Sequence, residues 1–152
     1  MTLTVLAPVA GTVLALEDVP DAVFSEAMVG PGVAVDPDPS DRAEVRAPVA
    51  GTIAKLYPHA FAIVTEDGKG VLVHVGIDTV ELGGEGFALH AEEKDTVTAG
   101  QLIVTFSPNA VIGGGRSAVV PILALDASAD ALALAAEVGE DIMAGEELFS
   151  WT

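Results

Sequence analysis

The hexapeptide APVAGT stands at residues 7–12 and again at residues 47–52, and each copy runs into a largely apolar stretch, VLAL after the first and IAKL after the second. Within each copy, the Pro-x-x-Gly spacing places a proline at a strand edge and a glycine at a tight turn or bulge. The Val and Leu residues supply a face to bury. The repeat indicates that strand, turn and strand units recur along the chain.

A second, weaker repeat pairs TVTAGQLIVTF (residues 96–106) with DIMAGEELFSW (residues 141–151). Turn-forming residues also recur at short intervals: Val29-Gly30-Pro31-Gly32, Asp36 to Asp41, Asp67-Gly68, Gly83-Gly84 and Gly113 to Gly115. Short strands bounded by such turns are typical of an antiparallel β-sandwich or barrel. We therefore predict a mostly β chain whose first strand starts near Leu3.

Two segments depart from this pattern. Residues 128–138 favour a short peripheral helix, because Ser128 can cap the N-terminus, Ala and Leu fill the middle and Gly139 can end it. Residues 36–44 (DPDPSDRAE) are polar and broken by proline, which predicts a surface loop. The part before this loop is too short to be a domain alone, so we expect residues 1–152 to form one domain.

The composition excludes several classes of protein. The 23 Asp and Glu against 6 Lys and Arg give a net charge of −17, which repels nucleic acid and anionic lipid. This acidity could speed encounter with a basic protein, or only keep an apolar chain soluble. With no cysteine, disulfides and thiolate chemistry are excluded, and no apolar run approaches the roughly 20 residues of a membrane span. We expect a cytoplasmic protein without a membrane anchor.

Two of the three histidines are predicted to meet. Asp67-Gly68 is a strong signal for a two-residue hairpin loop, which would place Phe61 opposite His74 and put His59 on the same face as His74. A three-residue loop would shift this pairing.

Such a pair of imidazoles could bind a metal, or one could be a nucleophile while the other hydrogen-bonds the transferred group. Alternatively, each histidine could simply fill an apolar face with its nitrogen satisfied. His90, beside Glu92 and Glu93, is interpreted as a surface histidine.

The chain resembles the glucose-type IIA component of the bacterial phosphoenolpyruvate-dependent sugar phosphotransferase system. The resemblance runs nearly end to end and rests on four segments: EDVPDAVFSEAMVGPG (residues 17–32), APVAGTI (47–53), PHAF (58–61) and HVGIDTVELGGEGF (74–87). It implies an antiparallel β-sandwich built on a duplicated hybrid motif with short peripheral helices, in agreement with the APVAGT repeat.

The resemblance also implies a function. His74 would accept a phosphoryl group from the phosphohistidine of HPr and pass it to a cysteine on the IIB domain of a sugar permease for glucose or a related sugar. His59 would hydrogen-bond the phosphoryl group, and no cofactor would be needed. The partner-binding surface would consist of Asp21, Val23, Phe24, Phe61, Leu72, Asp78 and Val80. Core packing is the alternative for Phe61, Leu72 and Val80, and solvation for Asp21.

The chain departs from the family pattern at three places. Tyr57 replaces a threonine whose hydroxyl, in many relatives, fixes the tautomer of the histidine corresponding to His59. Leu72 replaces a phenylalanine. We also expect the chain to enter its first strand almost at once, near Leu3, without the amphipathic membrane-binding segment of some relatives, which argues against membrane association.

Three other functions share single features with this sequence. A zinc peptidase of the lysostaphin type needs a His-x-x-x-Asp and a His-x-His element, and only the first spacing occurs, at His74 and Asp78. A biotinyl or lipoyl carrier needs a lysine at a hairpin tip in a recognisable context, which Lys55 and Lys69 lack. The third is a mainly regulatory IIA protein that inhibits permeases or glycerol kinase, with His59 and His74 as possible zinc ligands at the interface.

Overall fold

The computed structural model describes residues 2–152 and consists mostly of antiparallel strands. The strands are β1 (Leu3–Leu6), β2 (Gly11–Ala15), β3 (Gly32–Pro37), β4 (Ala43–Arg46), β5 (Gly51–Tyr57), β6 (Ala60–Val64), β7 (Gly70–His74), β8 (Phe87–Leu89), β9 (Thr96–Val97), β10 (Leu102–Phe106), β11 (Val120–Ala124), β12 (Leu132–Leu134), β13 (Asp141–Ile142) and β14 (Glu147–Trp151). The helices are α1 (Ala22–Ser25), α2 (Pro108–Gly113) and the 3-10 turns Leu16–Asp18, Thr79–Leu82 and Ala129–Ala131. The predicted mostly β class and the first strand at Leu3 are confirmed.

An eight-stranded sheet carries the fold. Its order, β13-β2-β3-β11-β7-β6-β5-β9, consists of two four-stranded halves that meet where β11 pairs with β7. Two three-stranded sheets, β1-β14-β12 and β4-β10-β8, complete the structure. Each half of the large sheet is matched by one small sheet, so the architecture is duplicated, as the sequence repeats are.

The two APVAGT copies contact each other in a reciprocal way. The Leu6 amide donates to the Pro48 carbonyl at 2.9 Å, and the Arg46 amide donates to the Pro8 carbonyl at 2.8 Å. Equivalent residues of the two halves thus make equivalent bonds, which relates the halves by an approximate two-fold axis. The sequence duplication is therefore visible as symmetry in the backbone.

The glycine of each hexapeptide lies where the backbone comes too close for a side chain. A Cβ atom on Gly51 would lie 2.3 Å from the Val64 carbonyl oxygen, and one on Gly11 would lie 2.0 Å from the Asp36 carbonyl oxygen. Both contacts are with backbone, which cannot rotate away. This close approach gives the repeated glycine a physical cause.

The strands of the large sheet bury both of their faces near the centre. One face packs against the two small sheets in a main core that includes Val13, Val35, Val73 and Ile122. The opposite face is covered by residues that we call the outer cluster: Leu16, Val19, Phe24, Ala34, Ile77, Val119 and Leu123. Leu72 packs against the outer cluster and is half-buried. The side chains of β7 therefore alternate between two apolar layers.

The helix predicted at residues 128–138 is wrong. A single 3-10 turn, Ala129–Ala131, is followed by strand β12, which pairs with β14. The helical propensity of Ala and Leu contributes only tenths of a kcal/mol per residue, so pairing with β14 outweighs it. The loop predicted at residues 36–44 is present between β3 and β4, although both strands extend into its ends.

The predicted register of the hairpin between β6 and β7 is wrong by one residue. Ala60, rather than Phe61, lies opposite His74. The Thr65 amide donates to the Lys69 carbonyl at 2.8 Å, so three residues form the loop, and the last of them, Gly68, has a φ of +90°. A three-residue loop that ends in a left-handed residue is a common hairpin connection.

No helix within residues 2–152 is long and apolar enough to span a bilayer.

Replacing Gly51 with alanine tests the close approach in the second hexapeptide. We expect Gly51→Ala to lower the free energy of unfolding by roughly 1 to 3 kcal/mol, because the methyl group has to displace the Val64 carbonyl. Gly113→Ala is the matched control, since nothing lies within 4 Å of its added Cβ. It should change stability by less than about 1 kcal/mol. Urea denaturation of both variants gives the comparison, and equal effects would contradict the explanation.

Candidate functional site

His74 is the last residue of β7 and points away from the main core. Val71 and Val73 are fully buried in that core, whereas Leu72 and His74 lie on the other face and are half-buried. Beyond His74 the chain leaves the sheet at Gly76, whose φ is +82°. The alternation of β7 thus brings an imidazole to the edge of the outer cluster.

His59 lies beside it, in the tight turn that connects β5 to β6. The two imidazole centroids are 5.5 Å apart, and the ring planes are inclined by 63°. The backbones are also joined, since the Val75 amide donates to the His59 carbonyl at 2.6 Å. The predicted meeting of the two histidines is confirmed. The turn brings them together, rather than the predicted same-face register of the strands.

The tautomer of His74 follows from one hydrogen bond. Its Nδ1 lies 2.5 Å from the carbonyl oxygen of Gly76. A carbonyl oxygen only accepts hydrogen bonds, so Nδ1 carries the proton and Nε2 keeps its lone pair. His74 is therefore built as an imidazole with a nucleophilic Nε2.

Both histidines are kept neutral. Burial lowers the pKa of His74 below its ordinary value of about 6.5, and the neighbouring His59 lowers it further. The hydrogen bond to Gly76 and the carboxylates of Asp21 and Asp78 act in the opposite direction without overcoming the effect of burial. Burial alone lowers the pKa of His59. Near pH 7 both rings are uncharged.

Helix α1 closes one side of the site. Asp21 caps this helix, its carboxylate accepting from the Val23 amide at 2.9 Å. The cap brings the ring of Phe24 to 5.0 Å from that of His74, with the planes inclined by 54°. Asp21 thus positions an aromatic wall and also places a negative charge near the imidazole.

Tyr57 contacts His59 through its ring. The two ring centroids are 5.6 Å apart, and the planes are inclined by 23°, which is a stacked arrangement. Half of the Tyr57 side chain is exposed. At the position where the resemblance implies a threonine hydroxyl, this chain offers an aromatic face to His59.

The predicted partner-binding residues separate into three groups by their exposure. Val23 and Val80 are exposed hydrophobics, and Asp78 is exposed at the start of the turn that follows His74. Asp21 and Leu72 are half-buried, and Phe24 is mostly buried against His74. The prediction that Phe61 contributes to the partner-binding surface is wrong, because Phe61 is 0% exposed within the main core and presents no surface to a partner.

His90 lies apart from the pair. It is exposed, and its Nε2 is 3.0 Å from the Thr105 hydroxyl oxygen. The interpretation of His90 as a surface histidine is confirmed. Among residues 2–152, no three His, Asp or Glu side chains are arranged to hold a metal ion.

Sequence reasoning overlooked two residues that shape the site. The Gly76 carbonyl fixes the tautomer of His74, and Thr79 donates to the Val75 carbonyl at 2.7 Å from a buried position. The spacing His-x-Gly in HVGIDT signals the first, because a glycine directly after a strand allows the chain to fold back on itself. A threonine four residues after Val75 gives no such signal.

Comparison with known proteins assigns the chain to a family. Residues 3–129 match the model of the phosphoenolpyruvate-dependent sugar phosphotransferase system, EIIA 1. Among solved structures, glucose permease IIA from Mycoplasma capricolum is 33% identical and superposes with a TM-score of 0.89, over 99% of this chain and 96% of that one.

The chain belongs to the EIIA 1 family of the phosphoenolpyruvate-dependent sugar phosphotransferase system. It is a phosphocarrier in sugar uptake, a component of a phosphoryl-transfer system that interacts with the other phosphocarrier and permease components. The alternative of a mainly regulatory protein is not favoured by these matches. The predicted antiparallel fold of the IIA type is confirmed.

The electrostatics of the site can be tested by two substitutions with opposite signs. Asp21→Asn removes a charge that raises the pKa of His74, and its amide oxygen can still cap α1, so we expect a lower pKa. His59→Gln removes a ring that lowers the pKa of His74, so we expect a higher one. Nitrogen-15 NMR titration of His74 measures both. The exposed Asp130→Asn is the control, and a rise in Asp21→Asn would contradict the assignment.

Proposed function

We propose that Nε2 of His74 accepts a phosphoryl group from the phosphohistidine of HPr and passes it to a cysteine on the IIB domain of a sugar permease. The observation that carries this proposal is the bond from Nδ1 to the Gly76 carbonyl, which leaves Nε2 unprotonated beside a second imidazole. A neutral imidazole is a competent nucleophile near pH 7.

The proposed transfer of the phosphoryl group needs no cofactor. The lone pair of His74 Nε2 attacks phosphorus, and the bond from phosphorus to the HPr imidazole nitrogen breaks. The electron pair of that bond returns to the HPr ring. The proton on His74 Nδ1 stays in place, where the Gly76 carbonyl stabilises the positive charge that grows on the phosphorylated ring. A ring that holds this charge is also a good leaving group for the onward step to cysteine.

His59 is proposed to stabilise the phosphoryl group. Its ring centroid is 5.5 Å from that of His74, within reach of oxygens on a phosphorus bound to Nε2. An imidazole N–H can donate to these oxygens, and the ring can also take up a proton as negative charge develops. The stacked Tyr57 ring limits the rotation of His59 and so aims this donor.

We define the histidine rim as Asp21, Val23, Phe24, Leu72, Asp78 and Val80, and propose it as the docking surface. It combines exposed apolar side chains with two carboxylates around the nucleophile. A basic partner surface with an apolar centre complements it, and the net charge of −17 accelerates the encounter. The Mycoplasma capricolum protein is a glucose permease component, so we propose glucose or a related sugar as the transported substrate.

We propose that residues 1–152 act as one IIA domain in the cytoplasm, although Met1 lies outside the described residues. The first and last strands of the chain pair with each other, β1 with β14. The segment from β4 to β10 is inserted between strands β3 and β11 of one half of the large sheet. This interleaving of the two halves supports a single domain rather than two independent units.

His74→Ala should abolish phosphate uptake. Incubation of the wild-type chain with phosphoenolpyruvate, the first enzyme of the phosphotransferase system and HPr should yield one acid-labile, base-stable phosphate on His74. Mass spectrometry and phosphorus NMR locate the group and distinguish Nε2 from Nδ1 attachment. Phosphate on the His74→Ala protein would refute the proposal.

His59→Gln is the companion variant in that assay. It should still accept phosphate from HPr, because the nucleophile and its bond to Gly76 are unchanged. Onward transfer to IIB should slow, since glutamine cannot take up a proton as the phosphoryl group leaves. Unchanged transfer would remove the role given to His59.

Val80→Asp tests the docking surface. Val80 is 59% exposed, and a charge there should slow phosphoryl transfer from HPr roughly tenfold, which corresponds to about 1.4 kcal/mol of interface energy. Leu134→Asp is the matched control, because Leu134 is 55% exposed but lies on β12, outside the histidine rim. Stopped-flow transfer kinetics measure both, and equal rates in the two variants would exclude Val80 from the interface.

A further inference from the structure

We propose that Thr79 is a positioning residue that sets the tautomer of His74 by holding the Val75 and Gly76 backbone in place. Its relevance to phosphoryl transfer rests on the function proposed above. Its structural effect, the location of one proton in the resting protein, can be measured without any transfer.

The hydroxyl of Thr79 is committed to one acceptor. Thr79 is 1% exposed, and its Oγ1 donates to the Val75 carbonyl oxygen at 2.7 Å. Burial away from water strengthens this bond and makes its loss costly, because the carbonyl is then left without a partner. The Val75 carbonyl therefore has a fixed direction.

The methyl group of Thr79 leaves no room for a side chain on Gly76. A Cβ placed on Gly76 would lie 2.5 Å from Thr79 Cγ2 and 3.3 Å from the Ser117 carbonyl oxygen. Gly76 is thus enclosed between Thr79 and Ser117 in a left-handed conformation with a φ of +82°. The Ile77 amide donates to the same Ser117 carbonyl at 2.9 Å and fixes the far side of the glycine.

These contacts converge on the acceptor of His74. The Gly76 carbonyl can face Nδ1 only while the peptides on both sides of Gly76 keep their orientation. Thr79 holds the preceding peptide through the Val75 carbonyl, and Ser117 holds the following one. If the first restraint is lost, the Gly76 carbonyl can turn from Nδ1, and the proton can move to Nε2, where it occupies the nucleophilic lone pair.

The same restraint reaches His59. Val75 accepts from Thr79 through its carbonyl and donates through its amide to the His59 carbonyl at 2.6 Å. Val75, the residue that directly follows His74, therefore takes part in both contacts. Thr79 is in a position to fix the spacing of the two imidazoles as well as the tautomer of one.

The experiment compares Thr79→Val with Thr79→Ser. Valine keeps the methyl contact and removes the donor, whereas serine keeps the donor. Imidazole nitrogen-15 shifts of the unphosphorylated protein report the tautomer of His74 directly. We expect Thr79→Val to lose the fixed Nδ1–H form and to accept phosphate about tenfold more slowly, while Thr79→Ser stays near the wild type in both readouts.

Thr105→Val is the control for the loss of a buried threonine hydroxyl, because Thr105 is buried and contacts His90 instead. Its His74 shifts should be unchanged. Wild-type His74 shifts in a folded Thr79→Val protein would overturn the proposal. If Thr79→Val does not fold, Thr79→Ala replaces it, because alanine also removes the donor: loss of the fixed Nδ1–H form there supports the proposal, and its retention overturns it.

The outcome is separable from that of the proposed function. If His74 takes up no phosphate in the wild type, the phosphocarrier site is wrong, but the nitrogen-15 shifts still show whether Thr79 sets the tautomer. If His74 is phosphorylated and its nitrogen-15 shifts are the same in Thr79→Val as in the wild type, only the role proposed for Thr79 is wrong.

Discussion

Strand β7 is paired on both sides, with β6 and with β11, and this double pairing joins the two halves of the eight-stranded sheet. Because β7 is central, its side chains have an apolar layer on each face. Val73 enters the main core, and Leu72 packs against the outer cluster. A residue at the end of such a strand has a rigid backbone and a side chain that is only partly buried. His74 occupies that position, so the precise placement of its imidazole and the neutral state of the ring have the same origin.

The site lies where the two related halves of the fold differ. The connection between β5 and β6 is the two-residue turn that carries His59, whereas the equivalent connection between β2 and β3 spans residues 16–31. The long connection contains Phe24, whose ring lies 5.0 Å from that of His74, and Asp21, whose charge acts on His74. A duplicated framework thus supplies rigidity, and the divergence of one connection in length supplies the walls of the site.

The sequence predicted those features that depend on repeated local patterns. Two copies of APVAGT and the close turns led to the antiparallel architecture, and the signature beginning at His74 led to the family. The sequence did not predict the hairpin register, which depends on one residue of loop length, or strand β12, which depends on pairing between distant parts of the chain. The Asp67-Gly68 signal is compatible with two-residue and three-residue loops, so the register was one residue off. Residues 128–138 have a helical composition, but strand β14, far along the chain, recruits them as β12.

The meeting of His59 and His74 also shows why a correct result can follow from a wrong path. The strand register alone would separate the rings, yet His59 lies outside β6 in a turn where the alternation of side chains no longer applies.

The neutral state of the two histidines has a thermodynamic consequence. Because burial lowers the pKa of both histidines in the folded chain, the unfolded chain binds more protons below about pH 6.5. The free energy of unfolding therefore decreases as the pH falls from 6.5 through the folded pKa values. The desolvation that provides a neutral nucleophile at pH 7 therefore contributes a loss of stability as the pH falls, so the same two rings link the chemistry of the site to the stability of the fold.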